Sequence, residues 1–278
     1  MNLNFTGKMI AKLRKSVGFT QASLAKKLGV SDKAVSKWER GIACPDVTLW
    51  RKLSILLDTD IESLIYDDLM SDEWIGILIL DERISSDSLV YDKPLIHYLL
   101  SQFLLVGIKE IYIVGKCPNL TLPHVSIRIL QQLNCQFTKR SFVIYGNWFI
   151  YGANLTKHFK RAMARGGVTV LASICKKGEY PLDINEDRIG RIGDETNKSS
   201  YFALPYVFYP PNMDFSDINS VFEKAFCTEI LERGMIKFNV TSCDEVIAFA
   251  QFIKMMQDNT GESIANLNEI LKIRGYDL

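Results

Sequence analysis

The turn Asp81-Glu82-Arg83-Ile84-Ser85-Ser86-Asp87 stands directly after the apolar run IGILIL, at the end of a predicted strand. In an open α/β sheet, ligands bind beyond such carboxyl ends. A phosphate-binding turn there needs glycine and free backbone N–H groups. This one has no glycine, and its two adjacent carboxylates repel a triphosphate rather than cradle it. Metal chemistry is no better served. Cys44, Cys117, Cys135, Cys175, Cys227 and Cys243 are scattered with no C-x-x-C pair, and read as isolated buried thiols in a reducing compartment. His97, His124 and His158 are far apart and near no carboxylate motif. We therefore expect no metal site and no cofactor. The remaining chemistry is electrostatic. Residues 1–43 hold nine Lys/Arg against Asp32 and Glu39, a net of +7, so the rest of the chain carries −6. A split of this kind joins a basic module to a mildly acidic one.

Taken whole, the 278 residues carry a formal charge of only +1, which hides that split. At 47% hydrophobic and 23% charged, the composition excludes an acidic disordered chain and fits one large or two ordinary globular domains. No apolar run reaches the roughly 20 residues of a spanning helix. The N-terminus has no apolar segment before a cleavage site, so a cytoplasmic protein without membrane association is expected.

The basic module reads as short helices over residues 5–66. Ile10, Leu13 and Val17 share one helix face, which Gly18 ends. Thr20 caps a second helix carrying Leu24, Ala25 and Leu28. The turn Gly29-Val30-Ser31 leads to a third helix, Asp32 to about Arg40, with Val35 and Trp38 on one face. Gly41 ends that helix, and Pro45 begins a further one with Leu49, Leu53 and Leu56. Two short helices joined through a glycine turn make a helix-turn-helix arrangement. Residues 67–73 read as an acidic, solvated linker. From 74 onward apolar β-rich runs alternate with amphipathic stretches. Strands are predicted at IGILIL, 111–114, 142–145, 168–174 and 236–240, and helices at 95–106, 125–133 and 155–164. That alternation predicts an α/β domain with a mostly parallel, Rossmann-like sheet over 74–278.

The string LRKSVGFTQASLAKKLGVSDKAVSKWERGIACPDVTLWRKLSILLDTDIESL closely resembles the phage-repressor/Cro type of helix-turn-helix domain. The matching features are Thr20-Gln21, the Leu-Gly-Val-Ser turn and Trp-Glu-Arg-Gly. The resemblance implies that the third helix enters the major groove of double-stranded DNA, N-terminal end first. It places Gln21 against a phosphate, and Ser31, Asp32, Lys33, Ser36 and Lys37 on the exposed face. Lys33 and Lys37 then donate to guanine O6 and N7, or merely to phosphate. Asp32 repels phosphate unless it accepts from a cytosine amino group. Arg14 and Glu39 match a structural ion pair, and Val35 and Trp38 are core.

The second module resembles the sugar-phosphate nucleotidyltransferases of the glucose-1-phosphate thymidylyltransferase kind. The resemblance lies in YDKPLIHYLLSQFLLVGIKEIYIVG, FVIYGNWFIYGANL, KSSYFALPYVFY and ILERGMIKF, and in the C-terminal run from Cys243. It also exposes departures. The family's glycine-rich loop is about a dozen residues shorter here, its lysine position falls near Ser85, one metal-binding aspartate is Asn147, and the second falls near Val240. The expected protein is thus a DNA-binding transcriptional regulator whose second domain is catalytically degenerate. That domain would serve as an effector-binding or dimerisation module. The alternative is an active sugar-1-phosphate nucleotidyltransferase with a DNA-binding appendage. Candidate walls of a nucleotide-sugar or sugar-phosphate pocket are Asp81, Tyr91, Asn147, Trp148, Tyr151 and Tyr180, an aromatic among them being able to stack on a sugar or base. The same aromatics read equally as core or interface. A homodimer on paired half-sites is expected.

Overall fold

The computed structural model describes residues 3–59, 61, 73–133, 137–165, 167–174, 181–185, 188–192, 201–212, 227–274 and 276. The linker expected at 67–73 lies outside them except for Glu73, as do Tyr180, Cys135 and Cys175. The chain divides into two compact units, Met1–Met70 and Ser71–Leu278.

In the first unit α1 (Leu3–Ser16), α2 (Gln21–Leu28) and α3 (Asp32–Glu39) form as the local signals require. Thr20 Oγ1 accepts from the Ser23 N–H at 3.0 Å, and Ser31 Oγ from the Ala34 N–H at 3.2 Å. These bonds satisfy donors that every helix start leaves orphaned. Gly29 closes α2 with φ 74°, a left-handed conformation that favours glycine. The helix expected from Pro45 opens later, as a 3₁₀ turn at Val47–Leu49 running into α4 (Trp50–Leu56). Asp46 caps that turn through the Thr48 N–H at 2.9 Å, which sets its start. Ile10, Leu24, Leu28, Val35, Trp38, Trp50 and Leu53 make the shared core.

The second unit is built on a nine-stranded sheet. Its strands are β1 (Trp74–Ile79), β4 (Glu110–Val114), β5 (Ser126–Leu130), β6 (Arg140–Tyr145), β8 (Thr169–Ile174), β9 (Pro181–Asn185), β10 (Arg188–Ile192), β11 (Tyr201–Tyr209) and β12 (Cys227–Ile230). The path runs β10-β9-β11-β6-β1-β4-β5, with β8 pairing β11 and β12. Strands β6, β1, β4 and β5 are parallel. β11 lies antiparallel to β6 and to β8. A hairpin of β2 (Leu89–Val90) and β3 (Lys93–Pro94) leads into α5 (Leu95–Leu104). Then come β7 (Trp148–Tyr151), α6 (Leu155–Ala164), β13 (Ile236–Asn239), α7 (Cys243–Thr260) and α8 (Leu267–Ile273).

Three expectations need correction. Residues 125–133 were predicted as a helix, but 126–130 are strand β5, paired with β4 from Glu110↔Ser126 to Val114↔Leu130. The run Ile127-Arg128-Ile129 satisfies a period of two as well as a helical one, and the open edge of β4 decides. Residues 236–240 are not a strand of the main sheet. Residues 236–239 pair with β7 in a separate two-stranded ribbon. Among the described cysteines none is fully buried: Cys243 is exposed and Cys44, Cys117 and Cys227 are half-buried.

One face of the sheet carries an aromatic layer. Phe142 stacks on Phe208 at 4.4 Å and meets Phe103 edge-on at 5.0 Å. Gly76 of β1 lies under Phe103, where a Cβ would sit 2.8 Å from the ring. Glycine there lets α5 approach the sheet. Gly76→Val should therefore lower stability by about 2 kcal/mol through overpacking, read as a shift in the urea midpoint at unchanged slope.

Candidate nucleic-acid interface and sheet edge

On α3 the apolar residues Val35 and Trp38 face the core, so helical geometry turns Ser31, Asp32, Lys33 and Lys37 outward, and all four are exposed. Ser36 is half-buried. Neither lysine has an ion-pair partner among the described residues, which leaves both ammonium groups available to an anion. Asp32 instead accepts from the Lys33 N–H at 2.8 Å, turning its charge onto the helix N-terminus. Gln21 starts α2 but its amide is already engaged: Nε2 donates to Glu39 Oε2 at 2.7 Å. Glu39 in turn accepts from Arg14 Nε at 2.5 Å and NH2 at 3.2 Å, and Arg14 NH1 donates to the Phe19 carbonyl at 2.6 Å. One carboxylate thus ties α1, α2 and α3 together. Burial pushes the Glu39 carboxyl up, but the Arg14 and Gln21 hydrogen bonds and the Arg14 and Lys15 charges outweigh it, holding it below the usual range. The Arg14–Glu39 pair was expected; the Gln21 contact was not, because residues eighteen positions apart carry no local signal of meeting.

In the second unit the carboxyl ends of β1, β4 and β6 lie side by side, and their turns are closed on themselves. The Asn147 amide is fully buried. Its Oδ1 accepts from the Asp81 N–H at 3.3 Å, and its Nδ2 donates to the carbonyls of Asp81 at 2.9 Å and Val240 at 3.1 Å. The Asp81 carboxylate is paired with Arg83, whose hydrogen bonds hold it below the usual range. Glu82 Oε1 accepts from the Lys116 N–H at 3.3 Å, and Ser86 Oγ donates to the Lys116 carbonyl at 3.1 Å.

Among the five described residues of the six expected to wall an effector pocket, direct hydrogen bonds join only Asp81 and Asn147. Asn147 is a clamp between turns rather than an open wall. Tyr91 is exposed in the β2–β3 hairpin at φ 59°, and Trp148 is half-buried. Tyr180 lies outside the described residues. Tyr151 packs edge-on against Phe252 at 5.6 Å and lines a different space, a cavity of about 400 Å³ between α5, the β7–α6 connection and the segment leading into α8. That volume suits a small molecule. Gln102, also on its wall, is buried, and its Oε1 accepts from the Ile150 N–H and the Tyr206 hydroxyl, each at 3.4 Å. A lone amide inside the apolar run LIHYLLSQFL was the available sequence signal for this cavity, and it was missed. Among the described residues no cluster of His, Cys, Asp and Glu is placed to hold a metal ion, and no helix is long and apolar enough to cross a membrane.

Residues 10–64 match the helix-turn-helix family model. The helical unit is a helix-turn-helix domain, and the α/β unit has the fold of the sugar nucleotidyltransferases. A UDP-glucose pyrophosphorylase structure matches 66% of this chain and 99% of its own, with TM-score 0.50 and 9% identity, which shows the fold alone. A structure described as a glucose-1-phosphate thymidylyltransferase of Bacillus anthracis, in complex with sucrose, matches 64% of this chain and 94% of its own at TM-score 0.49 and 14% identity. Two small structures match the helical part. The P22 c2 repressor in complex with a synthetic operator is 35% identical over 22% of this chain and 91% of its own, at TM-score 0.21. The restriction-modification controller protein C.AhdI of Aeromonas hydrophila is 28% identical over 23% of this chain and 93% of its own, at TM-score 0.22. No curated protein matches the chain.

Glu39→Ala leaves the buried Arg14 guanidinium without its counter-charge and should cost about 3 kcal/mol in chemical denaturation. Since folding lowers the Glu39 pKa, the pair's contribution is full above the unfolded value of about 4.3 and fades as pH falls through the lower folded one. The stability gap between wild type and Glu39→Gln should accordingly narrow on acidification.

Proposed function

We propose that the protein is a sequence-specific DNA-binding regulator whose nucleotidyltransferase-like unit no longer transfers nucleotides. The observation that carries this reading is the helix-turn-helix match over 10–64 together with two unpaired, exposed lysines on α3. Ser31, Asp32, Lys33, Ser36 and Lys37 face the major groove, and Gln21, held by Glu39, fixes the start of α2 against a phosphate.

Loss of catalysis follows from the sheet edge. Nucleotidyl transfer depends on metal and basic groups that neutralise phosphate charge. At the position where the family resemblance implies a metal carboxylate stands a neutral amide with its bonds spent on backbone groups. At the second position Val240 offers no side-chain ligand. The residues present do not fit a divalent cation, and the Arg83 guanidinium near the turn is committed to Asp81. The α/β unit serves instead as an effector-binding or dimerisation module. An effector of the nucleotide-sugar or sugar-phosphate kind would place its sugar in the cavity beside Tyr151. The lining offers amides, hydroxyls and carboxylates but no basic side chain. Its phosphates would stay toward solvent.

The first test measures binding to DNA selected from a random pool. Lys33→Ala with Lys37→Ala should weaken the selected site about tenfold or more and relax its specificity, each guanine contact being worth about 1–3 kcal/mol. Unchanged specific binding would overturn the groove assignment. The second measures pyrophosphate release from nucleoside triphosphate, hexose 1-phosphate and magnesium. We expect none above background. Robust turnover that disappears in Asn147→Ala would establish the active-enzyme alternative.

A further inference from the structure

Helix α7 is the longest in the chain, 18 residues and about 27 Å. Phe249, Phe252 and Ile253 bury its inner face. Its outer face is unusual for a solvated helix. Ile247 is 56% exposed and Met255 51%, two turns apart, with exposed Cys243, Asp244, Gln251 and Lys254 around them. Neither Asp244 nor Lys254 has an ion-pair partner among the described residues. The first-turn charge that α7 uses at home is Glu245, which accepts from the Thr241 N–H and hydroxyl at 2.7 Å.

We infer that this face docks on the same face of a second copy of the chain, the two α7 helices running antiparallel about a two-fold axis beside Phe249. A two-fold contact must be self-complementary: if residue i meets j, then j meets i. In the register centred at 249, Ile247 faces Gln251 of the second copy across the middle of the contact, and Asp244 comes within reach of Lys254. Each pair occurs twice. The two unpartnered charges meet opposite signs. The four exposed apolar side chains are covered by one another and by the Gln251 and Lys254 methylenes.

Among the described residues no other helix of the unit offers this. On α6, Lys157 and Lys160 are half-buried and the exposed Arg161 lies 4.0 Å from Glu229, and the helix offers no acidic side chain of its own to meet them in a second copy. Helix α5 is buried almost throughout, and α8 has 7 residues. The inference rests on the dimer reading above and adds the surface to it.

The test uses the full chain. Light scattering on the wild type should give twice the chain mass. Ile247→Cys with Gln251→Cys should then form interchain disulfides on mild oxidation. Leu89→Cys, an exposed site elsewhere, should not. Ile247→Asp with Met255→Asp should weaken dimerisation about a hundredfold by removing the apolar area that the contact buries and placing unpaired carboxylates in it, with the circular dichroism spectrum unchanged because both residues face solvent. Asp244→Lys should weaken it less, and Asp244→Lys with Lys254→Asp should restore it. A monomeric wild type overturns both the surface and the dimer reading. A dimer that ignores the charge swap and forms no cross-link through positions 247 and 251 overturns this surface alone.

Discussion

The Asn147 side chain is out of water and answers every one of its hydrogen-bonding needs from the backbone. It takes the Asp81 N–H on one side and gives its two protons to the Asp81 and Val240 carbonyls on the other. An unsatisfied amide at this depth would be costly, so the three chain segments that it joins are locked to each other. The turns after β1 and β6 and the end of β13 then have little freedom to open around a ligand. A carboxylate in the same place would have only acceptors to offer, and the two carbonyls would be left facing a negative charge. The α/β edge is thus shaped by satisfaction of polar groups, and its chemistry is what that satisfaction leaves over.

Glu39 plays the equivalent part in the helix-turn-helix unit. Arg14, Gln21 and Glu39 come from three helices, and the carboxylate bridges the other two. The arrangement couples position to charge: the Gln21 amide at the start of α2 is held by the same group that neutralises a buried guanidinium. Exposed lysines on α3 then need no further scaffold, since Val35 and Trp38 fix the rotation of the helix by burial.

Local signals were the legible part of the fold. Thr20 and Ser31 cap their helices because capping is decided within three residues, and Gly29 takes the left-handed turn because its own backbone allows it. The strands were readable at IGILIL, 111–114 and 142–145 as continuous apolar runs. Strand β5 was not, since its pattern fits two periods and the partner β4 arbitrates. Nor was the place of 236–239, whose ribbon depends on meeting β7. Among candidate site residues, the outward set on α3 followed from helical periodicity and a recognisable motif. Of the expected pocket residues, Asp81 and Asn147 meet through hydrogen bonds, whereas Tyr91 stands in the β2–β3 hairpin and Tyr151 ends β7, placements that depend on the sheet order.

The sequence by itself determined the two-part character of the chain: a net +7 in the first 43 residues against −6 in the rest, a glycine-free acidic turn after the first strand, and a neutral residue at position 147. These are matters of composition and local order, which folding does not alter. Only the tertiary structure decided that Asn147 is a buried clamp, that Gln21 leans on Glu39, and that Gln102 looks into a cavity beside Tyr151. Each of those depends on groups tens of residues apart reaching within about 3 Å of one another, and nothing in a linear pattern fixes such distances.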